Sequence, residues 1–142
     1  MTIVKFYDTV DDALLRFAVI VAKTAGRFVL CRHRERKTFE FPGGHREEGE
    51  AIEETAGREL YEETGAVAYE IRPVCAYSVT RTDIPGDQES YGMLYYAEVS
   101  AFEGELHSEI GETIVTDTLS VDWTYPDIQP ELLKEAARRN LL

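Results

Sequence analysis

The chain has 142 residues, 44% of them hydrophobic and 30% charged, with Gly 10 and Pro 5, which fits one folded domain and excludes global disorder or a fibrous repeat. Its formal net charge of −12, from Lys+Arg 15 against Asp+Glu 27, argues against non-specific DNA or RNA binding and against docking on anionic membranes, since both surfaces would repel it. The longest apolar run, Phe17 to Ala22, falls well short of the ~20 residues a membrane helix needs, and no signal-peptide pattern is seen. Cys31 and Cys75 form neither a C-x-x-C pair nor a disulfide framework, so reduced core thiols in a cytoplasmic protein are expected.

In chain order, Phe17–Ala22 (FAVIVA) and Arg27–Cys31 (RFVLC) are short β-branched and aromatic runs separated by Lys-Thr-Ala-Gly, which predicts a hairpin. Thr38–Phe41 (TFEF) alternates like a strand and stops at Pro42-Gly43-Gly44, a strong break. Glu50–Thr64 lacks Pro, is rich in Ala, Glu, Leu and Arg, and is followed by Gly65, which predicts a helix with a glycine C-cap. Val67–Thr80 reads as one or two strands broken near Pro73, and Arg81–Ser90 as a turn or long hairpin loop around Pro85-Gly86-Asp87. Tyr91–Val99 and Thr113–Thr116 read as strands, and Pro130–Asn140 as a closing helix with Pro at its start and Lys/Arg near its end. Strands mixed with two helices predict an α/β layered domain with helices packed on a sheet, spanning residues 1–142.

Half of the net charge lies between Gly44 and Ala66, where Glu47, Glu48, Glu50, Glu53, Glu54, Glu59, Glu62 and Glu63 face only Arg46 and Arg58. On a wheel of ~100° per residue, Glu63 falls about 40° from Glu59 and Glu62 about 60° to its other side. Ile52, Ala56 and Leu60 share the face of Glu59 and Glu63, while Glu50, Glu54 and Tyr61 point away. Carboxylates on a face that packs on a sheet repel one another and lose hydration, at several kcal/mol per ion, unless something compensates. A divalent cation would do so: Glu59, Glu62 and Glu63 can converge over about one turn, and oxygen donors without a His/Cys pair suit Mg²⁺ or Mn²⁺ rather than zinc. A solvated helix with scattered glutamates is the alternative.

The run from Gly44 to Ala66 resembles the Nudix box, G-x5-E-x7-R-E-U-x-E-E-x-G-U with U aliphatic, at Gly44, Glu50, Arg58, Glu59, Leu60, Glu62, Glu63 and Gly65. Ala66 departs from it, standing where a larger aliphatic residue is usual, at a packing position. Phe41-Pro42-Gly43-Gly44, leading into the box, is also similar to the family. The resemblance implies a Nudix α/β/α sandwich with a mixed β-sheet, and a hydrolase of phosphoanhydrides acting on a nucleoside diphosphate linked to another moiety. It implies Glu59 and Glu63 as ligands to Mg²⁺ (or Mn²⁺), Glu62 as ligand or base, and the Gly43 carbonyl as a further ligand. Arg58 would pair with box carboxylates, Glu50 first among them, and orient them. A later loop glutamate often serves as base in this family, which makes Glu109 and Glu112 candidates. Family members are often dimers, so a homodimer is an open expectation.

Arg32, His33, Arg34, Arg36 and Lys37 form a basic island opposed only by Glu35; it could meet nucleotide phosphates or form a solvated hairpin tip. Arg32, Arg34, Arg36 and Lys37, with Phe41 and Gly44, are the candidate substrate contacts, whereas His33 and His45 read as surface residues. Tyr77, Tyr91, Tyr95 and Tyr96 could stack on a base but at strand spacing read first as sheet packing. The upstream pattern of coenzyme A pyrophosphatases and the S-Q-P-W-P-F-P motif of NADH pyrophosphatases are absent, and no clean marker for ADP-ribose or diadenosine tetraphosphate follows the box. The remaining resemblance is to the small MutT group and to Bacillus-type 8-oxo-dGTP pyrophosphatases. It implies cleavage of a nucleoside triphosphate, normal or oxidised, to monophosphate and pyrophosphate. ADP-ribose, a dinucleoside polyphosphate or an RNA 5′ end are the alternative substrates. A non-catalytic nucleotide sensor is the alternative of another class, and the intact Glu59, Glu62 and Glu63 argue against it.

Overall fold

Along the central strand β2 (Leu15–Thr24) both faces are apolar, so both must be covered. The computed structural model, which describes residues 1–104 and 110–139, covers each with a helix. Ala18, Ile20 and Ala22 pack with Ile52, Ala56 and Leu60 of helix α1 (Ile52–Thr64), and Val19 and Val21 belong to a second cluster with Leu132 of helix α2 (Gln129–Arg138). Strand β6 (Ser90–Phe102) divides the same way, with Tyr95, Ala97 and Val99 toward α1 and Leu94 and Tyr96 in the α2 cluster. The result is the expected α/β/α arrangement.

The other strands are β1 (Thr2–Tyr7), β3 (Arg27–His33), β4 (Gly43–His45), β5 (Ala66–Arg81) and β7 (Ile110–Thr116). Their order is β1-β5-β6-β2-β3-β7, with β4 also paired to β2. β2 runs parallel to β6 and antiparallel to β3 and β4, so the sheet is mixed. Its first half pairs with β4 (Val19 opposite Gly43) and its second half with β3 (Ala22 opposite Val29). This fork brings the two glycines of β4 under α1. No helix of the described residues is long and apolar enough to cross a membrane.

The hairpin of β2 and β3 is as expected, closed at Ala25 and Gly26 with positive φ at both. Helix α1 starts at Ile52 rather than Glu50; the Glu54 carboxylate reaches back to the Ala51 N–H at 2.9 Å. It ends as predicted on Gly65, left-handed at φ 78. Three expectations need correction. Thr38–Phe41 forms only isolated bridges, because the Phe41 N–H is taken by the Gln129 side chain at 2.7 Å instead of a neighbouring strand. Gly43-Gly44 does not break the chain but forms strand β4, where a β-carbon on Gly43 would stand 2.5 Å from the Ala18 carbonyl oxygen. Nor does Pro73 break β5, since the register with β6 shifts between Pro73 and Cys75 and β1 pairs only with residues 76–81. β1 itself was not expected; its partner lies at the far end of β5.

Candidate active site

Glu59 and Glu63, one turn apart on α1, both line a cleft of about 770 Å³ together with Gly43 and Gly44 of β4. Glu63 is 5% exposed. Its Oε1 accepts the Gly43 N–H at 2.7 Å, and its Oε2 accepts from His33 Nε2 at 2.8 Å. Two strands therefore aim one buried carboxylate.

Arg58 organises the other box acids. Its Nε and Nη2 donate to the two Glu50 oxygens at 2.7 and 3.0 Å, and its Nη1 donates to Glu59 at 2.6 Å and to Glu62 at 3.3 Å. Nη2 also donates to the His45 carbonyl at 2.9 Å, which ties the helix to β4. The Arg58 guanidinium, with help from the Thr55 hydroxyl and the Glu47 N–H, pulls the Glu50 carboxyl down to about 2, and Glu50 in turn raises Arg58. Glu50 lies before the first turn of α1 and folds inward to Arg58 instead of pointing away. At Gly44 a β-carbon would overlap the Glu59 carboxylate, so only glycine leaves that carboxylate its place.

Beyond the box, the cleft wall contains Glu40, which is 5% exposed. Burial raises its carboxyl, while His33 at 3.7 Å and Arg36 at 3.1 Å act in the opposite direction. Gln129, at the start of α2, and Tyr77 of β5 line the same cleft and are buried.

Of the expected site residues, Gly43, Gly44, Glu59, Glu63, Phe41 and Arg36 line the cleft, with Arg58 directly behind them. Phe41 is fully buried between Phe28 and Trp123. Glu62 does not line the cleft; its side chain is 45% exposed and held by Arg58. Among the described residues no three acidic, His or Cys side chains are grouped as a metal cage. Glu59 and Glu63 both face the cleft, where the backbone stands too close for a β-carbon, and carboxylate oxygens of this kind fit a hard divalent cation.

The basic island divides. Arg32 closes the turn by donating to the His33 and Arg36 carbonyls and pairs with Glu112 of β7 at 3.6 Å. Arg32, Arg34, Lys37 and Glu112 all stand off the cleft lining, and Glu109 lies outside the described residues. Tyr91, Tyr95 and Tyr96 are also off the cleft, packing in the sheet as expected first. Sequence reasoning placed His33 on the surface and passed over Glu40 and Gln129. The i, i+4 repeat of α1 announces Glu59 and Glu63, but nothing local joins positions 33, 40, 63 and 129.

A NUDIX domain family model matches residues 13–141. The chain is 31% identical over 84 residues to "Putative 8-oxo-dGTP diphosphatase YtkD" of Bacillus subtilis (strain 168), a match over 59% of this chain and 50% of the relative, so it spans about half the length of that protein. The fold is similar to the crystal structure of the Bacillus subtilis pyrophosphohydrolase BsRppH, with TM-score 0.77 and 21% identity over 95% of this chain and 90% of that one. It is also similar to the NUDIX domain of Shewanella oneidensis NrtR complexed with ADP ribose, with TM-score 0.70 and 19% identity over 89% and 88% of the two chains. With the box in place on α1 and the mixed sheet sandwiched between two helices, the chain belongs to the NUDIX domain family.

Proposed function

We propose that this chain, as a single domain, is a Mg²⁺- or Mn²⁺-dependent pyrophosphohydrolase that converts a nucleoside triphosphate, normal or oxidised, to its monophosphate and pyrophosphate. The observation that carries this reading is the pair Glu59 and Glu63 at the floor of a nucleotide-sized cleft, each aimed by fixed donors. The name of the Bacillus relative supports the substrate class.

A bound divalent cation would supply charge neutralisation at the phosphate oxygens and a more acidic water. Glu59 and Glu63 would hold it. Gly43 N–H and His33 keep Glu63 in one orientation, and Arg58 does the same for Glu59, so neither carboxylate reorganises during the reaction. Water attacks the α- or the β-phosphorus in line with the oxygen that bridges them, that P–O bond breaks, and pyrophosphate or the nucleoside monophosphate, respectively, departs with the electron pair. Glu62 is the box carboxylate left to take the proton of that water; 45% exposed, off the cleft lining and held by Arg58 at 3.3 Å, it would turn in from the rim to do so.

A panel of nucleoside triphosphates, ADP-ribose and dinucleoside polyphosphates at equal concentration, with pyrophosphate and phosphate read separately, tests the assignment. Triphosphates should release pyrophosphate, and EDTA should abolish it. Turnover that persists in EDTA, or a preference for ADP-ribose, would contradict the reading. Tight nucleotide binding with no hydrolysis would indicate a sensor.

A further inference from the structure

Part of the cleft wall is built by β5, through Tyr77, Val79 and Arg81, and by Asp87 and Ser90 of the loop that leads into β6. The edge strand β1 lies directly beside that stretch, with Phe6 opposite Tyr77, Val4 opposite Val79 and Thr2 opposite Arg81. Phe6 and Val4 pack in the same apolar cluster as Tyr77 and Val79, yet no residue of β1 lines the cleft. Pairing of β5 with β6 ends at Val79 opposite Ser90, so among the described residues Thr80 and Arg81 have only β1 as a strand neighbour.

β1 also grips the loop that carries Asp87, at both of its feet. At the first foot the Thr82 N–H and hydroxyl each donate to the Met1 carbonyl at 2.8 Å. At the second, the Tyr7 hydroxyl donates to Glu89 Oε2 at 2.6 Å, and the buried Ser78 hydroxyl donates to the same oxygen at 2.7 Å. These donors, Tyr7 first, hold the Glu89 carboxyl below the usual carboxylate range, as an ionised acceptor in strong hydrogen bonds. Between the feet, Asp87 Oδ2 accepts the Arg81 N–H at 2.7 Å. Residues 82–88 are all exposed, so burial does little to fix this loop and the hydrogen bonds at its feet carry that role.

We propose that β1 is a strap across this wall, fastened at Tyr7, and that Tyr7 and Glu89 are positioning residues for nucleotide binding although neither lines the cleft. A wall held in place before binding does not have to be ordered by the ligand, which favours affinity. Glu59 and Glu63 have their own holders in Arg58, the Gly43 N–H and His33, so unfastening the strap leaves the reacting centre as it is. The loss falls on binding and not on the chemical step. The role in binding rests on the reading that the cleft holds a nucleotide, whereas the fastening of the loop by β1 does not.

Amide hydrogen exchange, combined with steady-state kinetics on dGTP in Mg²⁺, tests the two parts separately. Tyr7→Phe removes one hydroxyl and Glu89→Ala removes the acceptor. In each, the hydrogen-bonded amides of Arg81 and Asp87 should exchange about tenfold faster, on the scale of one charge-assisted hydrogen bond, with the amides of α1 unchanged. KM should rise about threefold to tenfold, with kcat within about twofold of wild type. Glu89→Gln keeps an oxygen that can accept both hydroxyls, since both bonds end on Oε2, and should match wild type in exchange and in KM. Unchanged loop exchange in Tyr7→Phe and Glu89→Ala, or faster exchange spread equally over α1, would overturn the strap. Faster loop exchange with KM unchanged, or with kcat reduced in its place, would overturn the role in binding. If wild type does not hydrolyse dGTP, the hydrolase reading fails alone, and dGTP affinity by calorimetry takes the place of KM. If wild type does not bind dGTP either, the role in binding falls with the nucleotide reading, and exchange still decides the fastening.

Discussion

Arg58 is the residue on which the box geometry depends, because one guanidinium holds Glu50, Glu59, Glu62 and the His45 carbonyl. Removing it leaves Glu50 and Glu59, each only 13% exposed at the side chain, without the cation between them. Arg58→Ala is expected to lower kcat by about 10²-fold or more, on the scale of losing a preorganised electrostatic contact. Arg58→Lys should recover little, since a point charge cannot reproduce the forked pairing with Glu50. A kcat within a few-fold of wild type in Arg58→Lys would show that the fork is not needed. Gly44→Ala is expected to impair activity far more than folding, because its β-carbon would displace the Glu59 carboxylate; activity and melting temperature measured together check this. At this scale the sequence was most informative about α1. Glu59 and Glu63 were readable from a periodicity of one helix, whereas Glu40, His33 and Gln129 come from three separate segments. No local pattern registers a contact such as Phe41 to Gln129, 88 positions apart.

The elements expose their physics to test at two joints, one within the last turn of α2 and one between two strands. Helix α2 is held at its last turn by Glu135, which accepts from Arg138 Nε at 2.8 Å and Arg139 Nε at 2.7 Å. Arg138, then Arg139, draw the Glu135 carboxyl from 4.5 down to about 2. Because the folded value lies below the unfolded one, the stabilisation is complete above pH ~4.5 and fades as pH falls toward 2. Glu135→Gln should cost about 1–2 kcal/mol at pH 7, allowing for screening of the exposed arginines, and should flatten the acid limb of a stability–pH curve over that window. An unchanged acid limb would contradict the assignment. The second joint is β4, where Gly43 approaches β2 too closely for a side chain. Gly43→Ala is expected to destabilise by about 1–3 kcal/mol through backbone displacement, measured by chemical denaturation. Element types were largely legible because the hairpin, α1 and α2 have strong local signals. Thr38–Phe41 and Gly43-Gly44 were misread for one reason: hydrogen bonds from distant groups, Gln129 to Phe41 and β2 to β4, outweighed alternation and the usual role of glycine.

For the whole molecule, a net charge of −12 opposes an anionic substrate, and half of it is concentrated in the run that carries the box. Glu59 and Glu63 resolve this if they are loaded with cation, so nucleotide affinity should be weak in EDTA and rise with Mg²⁺ or Mn²⁺. The fold class was legible from strands mixed with two helices and the family from the spacing of the box, and the structure adds that β2 is apolar on both faces with a helix covering each. In the proposed reaction the Glu59–Glu63 pair is the cation-dependent hydrolytic centre. The most direct measurement is pyrophosphate release from dGTP and 8-oxo-dGTP by wild type and Glu63→Gln, with Mg²⁺ and with EDTA, alongside the melting temperature of each protein. Glutamine can still accept from Gly43 N–H, so the fold is expected to stay close to wild type while turnover falls by about 10²-fold or more. Wild-type turnover in Glu63→Gln, or release that is indifferent to EDTA, would contradict it.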